Sequence, residues 1–238
     1  MNTHSYFPGP KLHRMQDEAE LAGAVAAAVQ SALTQTLEQH EHATLVLSGG
    51  STPEIYLPKV AELDIPWSRV RIMLADERWV SEDSPDSNTA MLRRKFLSLP
   101  GPAQAEFIPL KNSAATADAG VAETRAGLPP LDEPISLVLL GMGNDGHFAS
   151  LFPDTPRLEE LLSPDNDERV AAIPAPATAS PSVARITLTL AEIQRSEHVV
   201  LVLQGARKLD VLEHAWEETD ELHFPVFALG EVDVLWAP

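Results

Sequence analysis

The sequence contains no cysteine among its 238 residues. Disulfide frameworks, thiolate metal sites and cysteine nucleophiles are therefore excluded. No apolar run approaches the ~18–20 residues that a membrane-spanning helix needs. The first residues, MNTHSYFPGPKLHR, lack a basic segment followed by an apolar one. We therefore expect no secretory signal and no membrane partner, and we expect a cytoplasmic location.

Basic residues are scarce. The chain has 17 Lys and Arg against 35 Asp and Glu, which gives a formal net charge of −18. A chain this acidic repels nucleic acid and anionic membranes, so we expect neither as a partner. An anionic ligand needs a local cluster of cations and backbone N–H groups to overcome the global field. The position of each Arg and Lys is therefore informative.

Apolar, strand-like segments alternate with helical ones along the chain. Predicted strands cover 43–47, 70–74, 135–140, 183–190 and 198–203, and predicted helices cover 17–40, 88–97 and 205–216. This alternation predicts an α/β, Rossmann-like fold with a mostly parallel sheet and helices on both faces. No low-complexity linker divides the chain, so we expect a single domain over residues 1–238, with the Pro-rich stretch 173–181 as a loop within it.

A glycine-rich loop, residues 48–52 (SGGST), lies between a predicted strand and a predicted helix that begins at Pro53. Glycines let the backbone approach a ligand closely, and a helix N-terminus offers free N–H groups. We name this segment the glycine loop. It suits a phosphate cradle, although an ordinary strand-to-helix turn with Thr52 as N-cap explains it equally well. It is not a Walker loop, because the G-x-x-x-x-G-K-[ST] spacing is absent.

A second loop, residues 141–147 (GMGNDGH), follows the strand predicted at 135–140 and is named the histidine loop. Its G-x-G-x-x-G spacing is typical of dinucleotide binding. However, Asp145 would repel a pyrophosphate, and Phe152-Pro153 interrupts the helix that should follow. We instead predict that the loop presents Asp145 and His147 together as a carboxylate-oriented base. A helix cap is the structural alternative, and a metal site is disfavoured because no second ligand cluster accompanies the pair.

Three basic residues follow or begin predicted strands. Arg78 ends a charged Asp-Glu-Arg segment, Arg185 opens an apolar strand, and Lys208 lies one turn into the helix after 198–203. Arginine binds phosphate in a bidentate manner, whereas lysine acts as a point charge. Each residue alone is explained by a surface position, and Arg78 is the weakest candidate. Together they suit an anion held at the edge of the sheet.

These segments together resemble the 6-phosphogluconolactonase family, and the resemblance runs through most of the chain. The matching motifs are LSGGSTP (47–53), DERWV (76–80), SN (87–88), GMGNDGHFASLFP (141–153), RITLT (185–189) and GARK (205–208). The block at 141–153 is the specific one. The related glucosamine-6-phosphate deaminases share a similar loop and a Rossmann-like sheet, but residues 149–153 (ASLFP) follow the histidine as they do in lactonases.

The resemblance implies hydrolysis of 6-phospho-D-glucono-1,5-lactone in the oxidative pentose phosphate pathway, with no cofactor and no metal. It implies that His147 is the general base and that Asp145 orients it. The implied phosphate-binding and sugar-binding residues are Ser48, Gly49, Gly50, Ser51, Thr52, Arg78, Arg185 and Lys208. The expected partner is the small phosphosugar lactone, and the chain is expected to be a monomer or a weak homo-oligomer.

Two alternatives remain open at this point. One is an enzyme like the glucosamine-6-phosphate deaminases or isomerases, and the other is a sugar-phosphate-binding regulator without catalysis. The second is kept open by Phe148, which stands where the family usually has threonine. Residues 224–238 resemble the family only loosely, so no site residue is assigned there.

Overall fold

The computed structural model describes residues 9–238, so part of the segment examined for a secretory signal, residues 1–8, lies outside it. Within the described part, the strands are β1 (Lys11–Arg14), β2 (Ala43–Leu47), β3 (Val70–Leu74), β4 (Asp76–Arg78), β5 (Glu106–Ile108), β6 (Ile135–Leu140), β7 (Val170–Ile173), β8 (Arg185–Leu188), β9 (Val199–Gln204) and β10 (Asp233–Ala237). The helices are α1 (Glu18–Gln39), α2 (Pro53–Ala61), α3 (Asn88–Leu92), α4 (Ala117–Gly127), α5 (Leu158–Leu161), α6 (Leu190–Gln194) and α7 (Ala206–Glu218).

Seven strands form the main sheet in the order β1-β10-β9-β6-β2-β3-β5, and every neighbouring pair in it is parallel. The predicted α/β fold with a mostly parallel sheet is confirmed. A smaller antiparallel sheet, β4-β8-β7, was not predicted. The first and last described strands, β1 and β10, are neighbours in the main sheet.

The central strands are buried because parallel sheets are covered by helices. Every residue of β2 (ATLVL) and of β6 (ISLVLL) is buried, which explains their unbroken apolar character. Helix α1 begins after Asp17, whose side chain accepts a hydrogen bond from the Glu20 N–H, and it buries an apolar stripe that includes Leu21, Val25 and Leu33. The helix predicted over 17–40 is confirmed.

The sheet order brings the loops after its central strands to one edge. Leu47 at the end of β2 pairs with Leu74 at the end of β3 and with Leu139 near the end of β6. Leu140 of β6 pairs in turn with Leu201 of β9. Because these strands are parallel, the glycine loop, the histidine loop, the segment after β3 and the N-terminus of α7 all start at this edge. Ligand sites in such sheets form there.

Several local predictions need correction. The strand predicted at 183–190 is shorter, since β8 ends at Leu188 and α6 begins at Leu190. The helix predicted at 88–97 is α3 followed by a π-helical turn, Arg93–Leu97. Thr52 occupies the N-cap position of α2, but its side chain makes no capping hydrogen bond. Across residues 9–238, no helix has both the length and the apolar character needed to cross a membrane.

Candidate active site

A cavity of about 200 Å³ lies at this edge of the sheet, and we name it the glycine-loop compartment. Every predicted site residue except Asp145 lines it, and its lining consists of Ser48, Gly49, Gly50, Ser51, Thr52, Asp76, Arg78, Asn88, Gly141, Met142, Gly143, His147, Ala149, Arg185 and Lys208. The fold therefore brings together residues that are up to 160 positions apart in the chain (208 − 48). Their shared location is the arrangement that the sequence predicted, while their individual roles remain predictions.

A second cavity of about 440 Å³, named the Arg207 compartment, adjoins the first. Its lining consists of Arg78, Asn144, Asp145, His147, Phe152, Thr178, Ala179, Ser180, Arg185 and Arg207. Three residues, Arg78, His147 and Arg185, line both compartments. Thr178, Ala179 and Ser180 belong to the Pro-rich loop, residues 173–181, so this loop contributes to the site. The sequence did not indicate that contribution.

The histidine loop places a carboxylate against the imidazole. Nδ1 of His147 lies 2.5 Å from Oδ1 of Asp145, and the backbone N–H of His147 also donates to that oxygen at 3.3 Å. The loop closes on itself through a hydrogen bond from the Gly143 N–H to the His147 carbonyl. With Nδ1–H donated to the carboxylate, Nε2 is left free to accept a proton. No helix starts at Asp145, so the helix-cap alternative is wrong.

The same contact keeps Asp145 ionised. Partial burial favours the neutral carboxyl, but the hydrogen bond and the charge of His147 outweigh it, so the pKa of Asp145 is lowered. An ionised Asp145 is the state that stabilises a protonated imidazole.

Close packing holds the ring of His147 in place. The ring stacks on Phe152 with 4.0 Å between centroids and an angle of 33° between the planes. A Cβ added to Gly143 would lie 2.2 Å from the Cε1 and Nδ1 atoms of the ring, so only glycine fits at that position. The side chain of His147 is still 26% exposed. The imidazole is therefore oriented on a packed support while remaining open to a ligand.

The glycine loop places backbone N–H groups and hydroxyls along the cavity, beside the N-terminus of α2. Gly50 has a φ of +94°, which favours glycine, and a Cβ on Gly49 would lie 2.0 Å from the side-chain oxygen of Asn88. The Ser48 hydroxyl donates to the Leu139 carbonyl at 3.2 Å and accepts from the Gly141 N–H at 3.3 Å. That hydroxyl therefore joins the two glycine-rich loops and is already engaged. The backbone of Gly49 and Gly50 remains open to the cavity.

Arg185 is a buried cation at the border of the two compartments. Its side chain is 5% exposed, with Nη1 3.8 Å from Oδ2 of Asp76 and Nη2 donating to the Pro181 carbonyl. Its guanidinium lies 5.2 Å from the ring centre of Phe152. Burial lowers the pKa of Arg185 and nearby Asp76 opposes this shift, but arginine stays protonated in proteins. Its Nε is buried and has no partner among the described residues.

Two further cations line the glycine-loop compartment. Arg78 faces Arg185 in the antiparallel pairing of β4 with β8, and its Nη1 donates to the Asp86 carbonyl at 2.6 Å. The Nε of Arg78 is also buried without a partner in the part of the chain that the structure describes. Lys208 lies in the first turn of α7, where burial lowers the pKa of its amine. These positions suit an anion that supplies the missing acceptors.

Two buried carboxylates of β4, Asp76 and Glu77, were not among the predicted site residues, although they connect this strand to its neighbours. Glu77 is 1% exposed and accepts hydrogen bonds from the N–H groups of Arg78, Asn88 and Thr89 and from the Ser87 hydroxyl. Its carboxylate thereby connects β4 with the start of α3. Asp76 accepts a hydrogen bond from Ser150 at 2.5 Å. The available signal was the run of three charges, Asp76 to Arg78, one residue after a strand that is apolar except for Arg71.

Phe148 lies in the hydrophobic core. Its side chain is completely buried, whereas the neighbouring Ala149, with a φ of +48°, lines the glycine-loop compartment. The Phe148 side chain therefore points into the core and lines neither compartment. Among residues 9–238, no group of three or more His, Asp or Glu side chains is arranged to hold a metal ion.

Comparison with known proteins adds an independent line of evidence. The family model described as "Glucosamine-6-phosphate isomerases/6-phosphogluconolactonase" matches residues 16–236. A 6-phosphogluconolactonase of Rhizobium meliloti (strain 1021) is 34% identical over 232 residues, which cover 95% of this chain and 98% of that protein. A 6-phosphogluconolactonase of Pseudomonas aeruginosa is 36% identical over 222 residues, with 92% of each chain covered.

A solved structure agrees with these relatives. The crystal structure of a 6-phosphogluconolactonase from Shewanella baltica OS155 is similar with a TM-score of 0.91 and 34% identity, covering 98% of this chain and 99% of that one. The chain therefore belongs to the glucosamine-6-phosphate isomerase and 6-phosphogluconolactonase family, and the resemblance drawn from its motifs is confirmed. Within that family, all three of these relatives carry the lactonase name.

Proposed function

We propose that this chain is a 6-phosphogluconolactonase, a carboxylic ester hydrolase that opens 6-phospho-D-glucono-1,5-lactone to 6-phospho-D-gluconate in the oxidative pentose phosphate pathway. The observation that carries the proposal is the convergence of the His147–Asp145 pair with Arg185 and Lys208 around one site. The lactonase names of the relatives support it. The chemistry also suits a lactone, because an activated ester needs only a base and a fixed position.

His147 is the proposed general base. Its Nε2 takes a proton from water as the water oxygen bonds to the lactone carbonyl carbon. The tetrahedral intermediate then breaks the bond between that carbon and the ring oxygen, which leaves with the proton returned by His147. Asp145 stabilises the imidazolium between these two steps. General-base help of this kind contributes about 10²–10⁴-fold to the rate.

The glycine-loop compartment is the proposed site of the 6-phosphate. Backbone N–H groups of Gly49 and Gly50, the hydroxyls of Ser51 and Thr52 and the N-terminus of α2 offer donors there. Lys208, Arg185 and Arg78 supply the positive charge. Binding the phosphate in this compartment fixes the distance from the lactone carbonyl to His147, which accelerates the reaction by positioning.

Replacement of the base tests the proposal. We expect His147→Ala to lower kcat by about 10²–10⁴-fold while the affinity for 6-phosphogluconate stays within about threefold, because the phosphate contacts are retained. Hydrolysis is measured at mildly acidic pH, where spontaneous opening is slow. His198→Ala is the matched control, since this exposed histidine lies directly before β9 and outside both compartments. An unchanged kcat in His147→Ala would place the base elsewhere.

Assays on the same purified protein distinguish the lactonase from the two alternatives, a deaminase and a non-catalytic regulator. A deaminase would release ammonia from glucosamine 6-phosphate and leave the lactone untouched. A non-catalytic regulator would bind 6-phosphogluconate without raising the rate of lactone opening. The proposal also includes a cytoplasmic location. It further includes a monomeric or weakly homo-oligomeric state, and sedimentation over a range of protein concentrations tests that state.

A further inference from the structure

Two adjacent cations at the start of α7 serve different compartments. Lys208 lines the glycine-loop compartment, whereas Arg207 lines the second compartment. Successive residues of a helix point about 100° apart, as 3.6 residues per turn require. His147 lines both compartments and thus lies at their border. One helix turn therefore directs positive charge to both sides of the proposed base.

The Arg207 compartment carries an excess of positive charge in a strongly acidic chain. Arg78, Arg185 and Arg207 line it, and the carboxylate among its lining residues is Asp145. That carboxylate is bound to His147 at 2.5 Å, so its charge is partly neutralised whenever the ring is protonated. The Nε of Arg185 is buried without a partner. Arg207 itself has neither a hydrogen bond nor an ion pair with any described residue, and its side chain is exposed at the compartment.

The proposed reaction creates a second anion at the opposite end of the sugar from the phosphate. The lactone is neutral at C1, and its hydrolysis leaves a carboxylate there. With the phosphate in the glycine-loop compartment and C1 beside His147, the new carboxylate forms where the two compartments meet. The chemistry of the Arg207 compartment fits this product group better than it fits the neutral substrate.

We propose that Arg207 binds the C1 carboxylate of the sugar-acid product, and so makes the site prefer phosphosugars that carry an anion at both ends. This inference rests on the proposed lactonase function and deepens it. Lys208 and the glycine loop hold the phosphate in substrate and product alike. Arg207 contacts only the product's carboxylate, and it therefore strengthens product inhibition while leaving the KM for the lactone nearly unchanged.

A pair of ligands that differ only at C1 tests this proposal. The first ligand is 6-phosphogluconate, and the second is glucitol 6-phosphate, which has a primary alcohol in place of the carboxylate. We expect Arg207→Gln to weaken binding of 6-phosphogluconate by about 5- to 10-fold, a modest effect because the guanidinium is solvent-exposed. Binding of glucitol 6-phosphate should stay within about twofold. Calorimetric titration of the full chain measures both affinities without turnover.

Two control variants interpret the result. Lys208→Gln should weaken both ligands by the same factor, because it removes a phosphate contact. Arg94→Gln removes the same charge from an exposed position in the turn after α3, outside both compartments, and should change neither affinity. Equal weakening of both ligands by Arg207→Gln, or no weakening of either, overturns the role of Arg207. Lack of lactone hydrolysis by the unmodified chain would instead overturn the proposed function, so the two failures are distinguishable.

Discussion

The contact between Asp145 and His147 makes a quantitative prediction about catalysis. Asp145→Asn keeps the size of the side chain but removes the negative charge that faces the imidazole at 2.5 Å. A hydrogen bond to a charged group contributes about 1.5–3 kcal/mol. Because the Asp145 side chain is 37% exposed, water screens the pair, and we take about 1.5–2 kcal/mol as the loss. This corresponds to a decrease in kcat of about 10- to 30-fold.

The assay is lactone hydrolysis at mildly acidic pH with the spontaneous rate subtracted. The KM should change by less than about threefold, because Asp145 is absent from the glycine-loop compartment in which the phosphate is proposed to bind. Asp64→Asn is the matched control, since Asp64 is exposed and has no side-chain hydrogen bond or ion pair with the described residues. A full wild-type kcat in Asp145→Asn would refute the reasoning, because the carboxylate would then contribute nothing to the charged state of the base.

Three further predictions follow from buried groups. Burial lowers the pKa of Lys208, so the affinity for 6-phosphogluconate should begin to fall at a lower pH than the pH at which a free lysine loses its proton. If Lys208→Arg shows the same fall in a pH titration of binding, the loss of affinity does not come from Lys208. Glu77→Ala leaves several buried donors without an acceptor and should cost about 3–5 kcal/mol of unfolding free energy; a loss below about 1 kcal/mol in urea unfolding would be evidence against the network. Phe148→Thr empties part of the core and should cost about 2–4 kcal/mol, with kcat of the folded enzyme within about threefold; a loss of kcat at unchanged stability would show that this position acts on the site.

Four adjacent strands of the main sheet, β9, β6, β2 and β3, were predictable because they are mostly apolar, whereas β1, β5 and β10 were not predicted. ATLVL in β2 and ISLVLL in β6 are buried at every position, so their sequences alone identify them as central strands. The antiparallel sheet was not predictable in this way. β4 consists of Asp76, Glu77 and Arg78, and it becomes a strand only through pairing with β8, which lies more than a hundred positions away. No local pattern reports such a pairing.

In the candidate site too, contacts between residues close in sequence were predictable, whereas contacts that depend on the pairing of distant strands were not. His147 and Asp145 are two positions apart, so a short motif was enough to predict their contact. The engagement of the Ser48 hydroxyl with Leu139 and Gly141 depends on the alignment of β2 with β6, whereas the motif had suggested Ser48 only as a substrate-binding residue. The location of Phe148 in the core likewise depends on how the histidine loop turns, which its spacing does not reveal.

The position of β10 has a consequence for how the protein is made. This strand contains residues 233–237 and lies between β1 and β9 in the main sheet. Until residues 233–237 have been synthesised, β1 therefore lacks its neighbour among the described strands, and β9 presents an unpaired edge. Exposed strand edges promote association with other chains. The main sheet consequently stays incomplete until this segment has emerged, and deletion of residues 233–237 would leave two open edges at this end of the sheet.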